Sequence, residues 1–258
     1  MTADAGEYPV SPFDRLHTAI AGSTAYREAV RATSPDVPEW LVPASVINIG
    51  DLETFAAELD VGDGQTIVDL GCGGGGPGLW VAQRTGASLI GVDASSEAVT
   101  MATALAQCRD MEDRARFLCA DFGATGLPDE CADGVMSLDA LMFVDPHAAA
   151  HEIRRLLKRG ARLVVRAVES LVDPFTPTLV RDYRPIFEDA GFAMLRHVVV
   201  ADYRARSLAY FKAIEERADA MRAEIGSAAD ILIEEARDSL EKGKKAPRAQ
   251  TVCFTAQR

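Results

Sequence analysis

The sequence predicts an α/β protein whose central sheet is mostly parallel and carries helices on both faces. From residue 66 onward, short apolar segments alternate with longer segments of helical periodicity. This alternation is typical of parallel strands joined by helices. A cluster of glycines follows the first predicted strand directly. The last apolar segment leaves no room for a right-handed helical crossover of its own, so the last strand is predicted to be antiparallel.

The predicted core extends from residue 46 to residue 202. It opens with a helix that Asp51 is expected to cap and that ends at Leu59, because the apolar residues between them share one face. Asp145 and Pro146 provide a cap and a first-turn proline for a later helix. Strands are predicted at 66–70, 88–93, 115–120, 134–138 and 162–167, and helices at 77–84, 97–108 and 147–157.

Two segments outside this core are predicted to be helical parts of the same single domain, residues 1–258. Residues 1–45 are expected to form a helical cover at the N-terminus. Residues 203–248 are expected to form a helical insertion, with helices at 206–224 and 228–241 on either side of Gly226. A strand at 192–201 precedes this insertion, and the last strand lies within residues 249–258.

The composition argues against nucleic acids and anionic membranes as partners. The 258 residues carry a formal net charge of -12, whereas a protein that binds duplex nucleic acid usually presents a basic face. The five cysteines are scattered and form no C-x-x-C pair, which fits a reduced, cytoplasmic protein. The first residues lack a signal peptide's basic and apolar run, and no apolar stretch approaches the ~18 residues that span a bilayer. The sequence does not decide whether the protein is a monomer or a homo-oligomer.

The glycine cluster indicates a ligand site beyond the end of the first strand. Gly71-Cys72-Gly73-Gly74-Gly75-Gly76 matches the dinucleotide pattern G-x-G-x-x-G, and no Lys-Ser/Thr pair follows as in a P-loop. Ligands of open parallel sheets bind beyond the carboxyl ends of the strands. Asp69 precedes the first glycine by two residues, and its carboxylate would repel a pyrophosphate there. It favours a cationic ligand such as S-adenosylmethionine, which carries a sulfonium and an ammonium group.

Two further acidic residues follow the next predicted strands. Asp93 ends the second strand, about 20 residues after the loop, where a carboxylate can accept hydrogen bonds from both ribose hydroxyls. Asp121 and Phe122 end the third strand. The Asp121 carboxylate can accept a hydrogen bond from the adenine amino group while Phe122 packs against the base. We therefore expect Asp69, Asp93 and Asp121 to line one edge of the sheet.

Four short motifs together resemble a known family. VDLGCGGGGPGLWVA, GVDAS, CADF and SLDALMFV are similar to the successive motifs of class I S-adenosylmethionine-dependent methyltransferases. They are most similar to the small-molecule branch of bacterial secondary metabolism, which includes enzymes of antibiotic biosynthesis. The resemblance covers roughly residues 68–166. It implies a Rossmann-like sheet of seven strands, an antiparallel last strand and helices inserted before that strand.

The resemblance also implies which residues hold the cofactor. Asp69, Gly71 and Gly73 would hold its methionine part, and the backbone carbonyl of Leu138 would accept a hydrogen bond from its amino group. Asp93 would bind the ribose. The complete set of expected cofactor-binding residues is Asp69, Gly71, Cys72, Gly73, Pro77, Asp93, Ala94, Asp121, Phe122 and Leu138.

Two residues are candidates for a catalytic base. His147 lies in the first turn of a predicted helix at the expected ligand edge, and Asp139 directly follows the fourth strand. His147 and His151 share a helix face, but no third residue lies at a spacing typical of a metal ligand. We therefore expect no metal site.

The predicted function is transfer of a methyl group from S-adenosylmethionine to a small, hydrophobic or aromatic metabolite. Whether oxygen, nitrogen or carbon accepts the methyl group stays open. One alternative is a cyclase of the same fold that binds the cofactor without transferring its methyl group. A nicotinamide-dependent oxidoreductase is a second alternative, although Asp69 and the antiparallel last strand argue against it. A non-catalytic cofactor-binding subunit is a third.

Overall fold

A computed structural model describes residues 12–174, 176, 178–245 and 247–258 of the chain. Its strands are β1 Thr66–Leu70, β2 Ser88–Asp93, β3 Ala115–Cys119, β4 Ala132–Leu138, β5 Leu157–Ser170, β6 Ala193–Val199 and β7 Ala249–Gln257. These seven strands form one sheet in the order β3-β2-β1-β4-β5-β7-β6. β7 is antiparallel to β5 and β6, and the remaining neighbours are parallel. The predicted sheet with an antiparallel last strand is confirmed.

Helices cover both faces of the sheet. They are α1 Pro12–Gly22, α2 Thr24–Thr33, α3 Ile49–Leu59, α4 Gly76–Thr85, α5 Ser96–Cys108, α6 Pro146–Leu156, α7 Arg184–Asp189, α8 Tyr203–Glu216, α9 Ala218–Ile225 and α10 Asp230–Gly243. Apolar residues of α6 and α7 pack on one face of the sheet, and those of α3 and α4 pack on the other. The first part of the predicted N-terminal cover, residues 1–11, lies outside the described residues.

Three details of the predicted elements were wrong. The N-cap of α3 is Asn48; Asp51 instead completes a capping box, in which its carboxylate accepts a hydrogen bond from the Asn48 backbone N–H at 3.1 Å. The helix predicted at 206–224 is two helices, α8 and α9, which meet at Arg217. β5 extends beyond the predicted strand at both ends, because Leu157 pairs with Ala132 of β4 and β7 pairs with β5 as far as Ser170.

The N-terminal helices and the inserted helices pack together as a separate layer, which we call the helical layer: α1, α2, α8, α9 and α10. Its buried residues form a hydrophobic cluster of their own, distinct from the clusters on the two sheet faces. Polar contacts join its two chain segments. The hydroxyl groups of Tyr26 and Tyr210 lie 2.6 Å apart, and Ser23 Oγ donates to the Glu224 carboxylate at 2.8 Å.

No helix of the described residues combines the length and the apolar character that crossing a bilayer requires.

We predict that Tyr26→Phe lowers the free energy of unfolding by about 1–3 kcal/mol, because it leaves two buried polar groups without a partner. Tyr26 Oη donates to the Pro43 carbonyl at 2.7 Å, and its ring is fully buried. Urea denaturation measures the loss. Tyr210→Phe removes the same tyrosine pair but keeps the bond to Pro43, so it should cost less. Equal stability of the wild type and Tyr26→Phe would contradict the prediction.

Candidate active site

The glycine loop folds back against the end of β2 and packs against the turn after β4. The backbone N–H groups of Gly71 and Cys72 both donate to the Val92 carbonyl, at 2.8 and 3.1 Å. Gly71 has φ +75°, and a Cβ there would lie 2.2 Å from Ala140 Cβ. Only glycine accommodates both the left-handed backbone and this close approach. The loop therefore lies in direct contact with the residues that follow β4.

Asp69 is a buried carboxylate without a compensating partner. It is 2% exposed, and the structure shows no hydrogen bond or ion pair on its carboxylate from any described residue. A Cβ at Gly78 would lie 2.5 Å from Asp69 Oδ2, so α4 packs directly on this carboxylate. Burial, and then the nearby charge of Asp93, raise the pKa of Asp69 to about 7. A bound cation would relieve the cost of ionising this group.

Asp93 holds the loop in place from the end of β2. Its Oδ2 accepts a hydrogen bond from the Gly73 N–H at 2.9 Å, and its Oδ1 accepts one from the Ser95 N–H at 2.9 Å. Each carboxylate oxygen retains a second lone pair. Asp93 can thus accept further hydrogen bonds from a ligand while it orders both the glycine loop and the start of α5.

The other expected cofactor residues lie at the same edge of the sheet, which orders β3, β2, β1 and β4 side by side. Asp121 follows β3, and its exposed carboxylate accepts a hydrogen bond from the Gly123 N–H at 2.7 Å. Phe122 is buried beside it, and Leu138 ends β4. Cys72 is buried within the loop, whereas Ala94 is exposed after β2 and Pro77 is half-buried in the first turn of α4.

Asp139 is bound by a buried arginine. Arg166 Nε and Nη2 donate to the two oxygens of the Asp139 carboxylate, at 2.9 and 2.6 Å, and Arg166 is 1% exposed. Tyr203 Oη also donates to Asp139, at 3.3 Å. Arg166 was not expected at the site. Its signal was a single charged residue inside an otherwise apolar strand segment, LVVRAV.

The two candidate bases differ in their surroundings. His147 is exposed in the first turn of α6, a helix that Asp145 caps as predicted by accepting a hydrogen bond from the Ala148 N–H. Asp139 has left-handed backbone, with φ +58°, and its carboxylate is paired with Arg166. A general base needs a free lone pair within reach of the acceptor's proton. The role of each residue as base stays a prediction.

His17 was not expected at the site, because no sequence pattern marked it. It is 4% exposed in α1, and a Cβ at Gly73 would lie 3.3 Å from its Cε1. Burial lowers the pKa of His17, and the neighbouring carboxylates of Asp93 and Asp14 offset this shift only in part. Asp14 also accepts a hydrogen bond from Ser95 Oγ. The first helix of the helical layer therefore lies directly over the glycine loop.

One group of possible metal ligands lies elsewhere in the described part of the chain. Glu169, Asp182 and His197 have ligand atoms within 4.8 Å of one another. Each has a protein partner: His197 Nε2 lies 2.9 Å from Glu169 Oε1, and Arg184 binds both Asp182 oxygens. The expectation of no metal stays a prediction.

Comparison with known proteins supports the resemblance that the motifs indicated. Residues 68–165 match the family model of a methyltransferase domain. Methyltransferase GfsG of Streptomyces halstedii is 28% identical over 132 residues, which are 49% of this chain and 48% of that protein. Geranyl diphosphate 2-C-methyltransferase of Saccharopolyspora erythraea is 35% identical over 119 residues, which are 44% of this chain and 42% of that protein. The chain thus spans less than half of the length of these relatives.

Solved structures share the fold. The [4+2]-cyclase SpnF superposes with a TM-score of 0.71 at 22% identity, over 81% of this chain and 80% of that one. The cyclopropane synthase MmaA2 from Mycobacterium tuberculosis superposes with a TM-score of 0.72 at 14% identity, over 98% of this chain and 100% of that one. Residues 68–165 therefore match a methyltransferase domain, and these structures share the predicted fold.

We predict that Gly71→Ala destabilises the protein more than Gly64→Ala. Both glycines have φ +75°, but a Cβ at Gly64 meets nothing within 4 Å, whereas one at Gly71 overlaps Ala140. Gly64→Ala should cost about 1–2 kcal/mol for the left-handed backbone. Gly71→Ala should cost about 1–3 kcal/mol more for the displaced turn. Urea denaturation of both variants measures the difference, and equal losses would contradict the proposed contact.

Proposed function

We propose that this chain, which carries a methyltransferase domain, transfers a methyl group from S-adenosylmethionine to a small, hydrophobic or aromatic metabolite. The observation that carries the proposal is the Asp69 carboxylate, which is buried at the start of the glycine loop without a partner among the described residues. The sulfonium and ammonium groups of this cofactor supply the positive charge that such a carboxylate needs.

The proposed contacts follow the edge of the sheet. Asp69, with Gly71 and Gly73, would hold the methionine part, and the Leu138 carbonyl would accept a hydrogen bond from the ammonium group. Asp93 keeps free lone pairs for the ribose hydroxyls beside its bonds to the backbone. Asp121 and Phe122 would hold the adenine. The absence of side chains at Gly71 and Gly73 lets Ala140 and His17 approach the loop closely, which fixes the shape of the proposed site.

Methyl transfer requires the protein mainly to bind and orient the two reactants. The cofactor supplies the electrophilic methyl group. Alignment of the acceptor with that group contributes up to about 7–11 kcal/mol, so a catalytic base is not obligatory. Where the acceptor is a hydroxyl, His147 is our first candidate for its base and Asp139 the second, since the Asp139 carboxylate is already engaged by Arg166.

The helical layer is proposed to cover the bound ligands. His17 already lies against Gly73, and Asp14 of the same helix binds Ser95 at the start of α5. A cover of this kind excludes water and opens to admit ligands. We also propose a cytoplasmic location, which the five free cysteines support, and a role in secondary metabolism such as antibiotic biosynthesis.

A cyclase that binds the cofactor without consuming it is the second candidate. The observation that favours it is the superposition on the [4+2]-cyclase SpnF over 81% of this chain. The two candidates predict different products. Methyl transfer releases S-adenosylhomocysteine in proportion to methylated product, whereas cyclisation leaves the cofactor unchanged.

Calorimetry and product analysis test the proposal together. We expect S-adenosylmethionine and S-adenosylhomocysteine to bind, and NAD and NADP not to bind. Incubation with methyl-labelled cofactor and a panel of hydrophobic and aromatic metabolites should then transfer the label to one class of them. Binding of NAD without binding of either adenosyl ligand would refute the proposal. Turnover of a metabolite with no release of S-adenosylhomocysteine would favour the cyclase.

We predict that the affinity for S-adenosylmethionine rises between pH 5.5 and 7.5. The pKa of Asp69 is raised to about 7, so at the lower pH most of this group is protonated and neutral. The permanently charged sulfonium favours the ionised carboxylate, and binding therefore releases a proton in this range. The cofactor's ammonium stays mostly charged over this range, because an α-amino group titrates near pH 7.7–8.0.

Calorimetry in buffers of different ionisation enthalpy measures the released proton. Asp69→Asn provides the matched control, since its side chain has nearly the same shape and does not titrate. The variant should bind more weakly and lose this pH dependence. A wild-type affinity that stays constant or falls with rising pH would contradict the role of Asp69.

A further inference from the structure

A buried polar network outside the glycine loop is centred on Arg166 of β5. Its guanidinium binds the Asp139 carboxylate with two parallel hydrogen bonds, and Nη1 binds Asp51 Oδ2 at 2.7 Å. Nη2 also donates to the Val46 carbonyl at 2.8 Å. The carbon at the centre of the guanidinium lies 5.0 Å from the centre of the Tyr203 ring. This one side chain therefore contacts four separate parts of the chain.

The first of these contacts fixes the turn after β4. Asp139 has the left-handed backbone that non-glycine residues adopt only at a cost. Its backbone N–H donates to the Arg166 carbonyl at 2.9 Å, and its carboxylate is bound by the same residue. Arg166 thus binds Asp139 through both backbone and side chain, which is how an unfavourable conformation is maintained.

That turn forms the wall of the proposed cofactor site. Leu138 and Ala140 flank Asp139, and Ala140 Cβ occupies the space beside Gly71. A shift of the turn would move the Leu138 carbonyl and Ala140 together, because Asp139 links them. The position of the cofactor's methionine part consequently depends on Arg166, although Arg166 itself is buried behind the turn.

The remaining contacts reach the helical layer and the helix beside it. Tyr203, in the first turn of α8, stacks on Arg166 and donates its hydroxyl hydrogen bond to Asp139. Arg206 of the same helix binds Asp51 Oδ2 at 2.8 Å, so one carboxylate of α3 joins both arginines. The inserted helices are thereby tied to the same guanidinium that fixes the wall of the site.

We propose that Arg166 is a positioning residue for methyl transfer, which holds the turn at Asp139 against the glycine loop and couples that turn to the closure of the helical layer. The inference rests on the proposed function, since it assumes that the loop binds the cofactor. A lysine at this position keeps the charge but loses the two-pronged geometry, which makes Arg166→Lys the informative change.

The chain contains a matched control. Arg155 of α6 also forms a paired contact with a carboxylate, binding the two oxygens of Glu152 at 2.8 and 2.7 Å. Its other partners are Leu127, Asp129 and Thr125. None of these lies in the glycine loop, in the turn after β4 or in the helical layer. Arg155→Lys therefore loses the same kind of ion pair but leaves every contact of Arg166 in place.

Calorimetry with S-adenosylhomocysteine tests the proposal on the full-length protein. Arg166→Lys should raise the dissociation constant by about 3- to 30-fold, while Arg155→Lys stays within about twofold of the wild type. Asp139→Asn, which tolerates left-handed backbone, should weaken binding in the same direction and serves if Arg166→Lys does not fold. Unchanged affinity in the Arg166 or Asp139 variant, or an equal loss in Arg155→Lys, would overturn the positioning role.

Hydrogen exchange supplies a readout that lost stability alone would not produce. In the wild type, S-adenosylhomocysteine should slow exchange in both the glycine loop and the helical layer. In Arg166→Lys at saturating ligand, the loop should stay protected while the protection of the layer is lost. Equal protection of the layer in both proteins would refute the coupling. A wild type that does not bind the ligand would instead refute the proposed function, so the two failures are distinguishable.

Discussion

The paired contact between Arg166 and Asp139 lies at the centre of a network that joins the sheet, the turn after β4 and two helices. Arg166 belongs to β5 of the sheet, and Asp139 lies in the turn after β4. Asp51 of α3 binds the same guanidinium, and Tyr203 of α8 stacks on it. Burial alone would lower the pKa of Arg166, but the carboxylates around it raise that pKa well above its usual range, so the charge persists inside the fold. Such a buried pair is costly to break, because either partner alone would leave an uncompensated charge.

The acidic groups at the edge of the sheet are compensated in different ways, and the difference is informative. Asp139 is neutralised by Arg166, and Asp93 accepts backbone hydrogen bonds from Gly73 and Ser95. Asp69 has neither kind of partner among the described residues, and its pKa is raised as a result. Proteins seldom bury a carboxylate without a partner. A cationic ligand at this position would compensate the buried carboxylate, whereas a phosphate ligand would repel it.

Much of the fold and part of the site could be predicted from local sequence patterns. Alternating strands and helices fix the direction of the strands, so residues at the carboxyl ends of successive strands, such as Asp69 and Asp93, had to meet at one edge. Arg166 and His17 could not be found in this way. Their roles depend on partners that are distant in sequence, namely Asp139 and Gly73. The N-cap at Asn48 and the break at Arg217 were missed because several nearby residues satisfy the same local preferences.

A crystal structure of the complex with S-adenosylhomocysteine tests the central claim most directly. We expect the ribose hydroxyls within hydrogen-bond distance of the Asp93 carboxylate, and the ammonium group beside Asp69 and the Leu138 carbonyl. The adenine should lie between Asp121 and Phe122. A ligand in the opposite orientation, or one bound away from the glycine loop, would contradict the account.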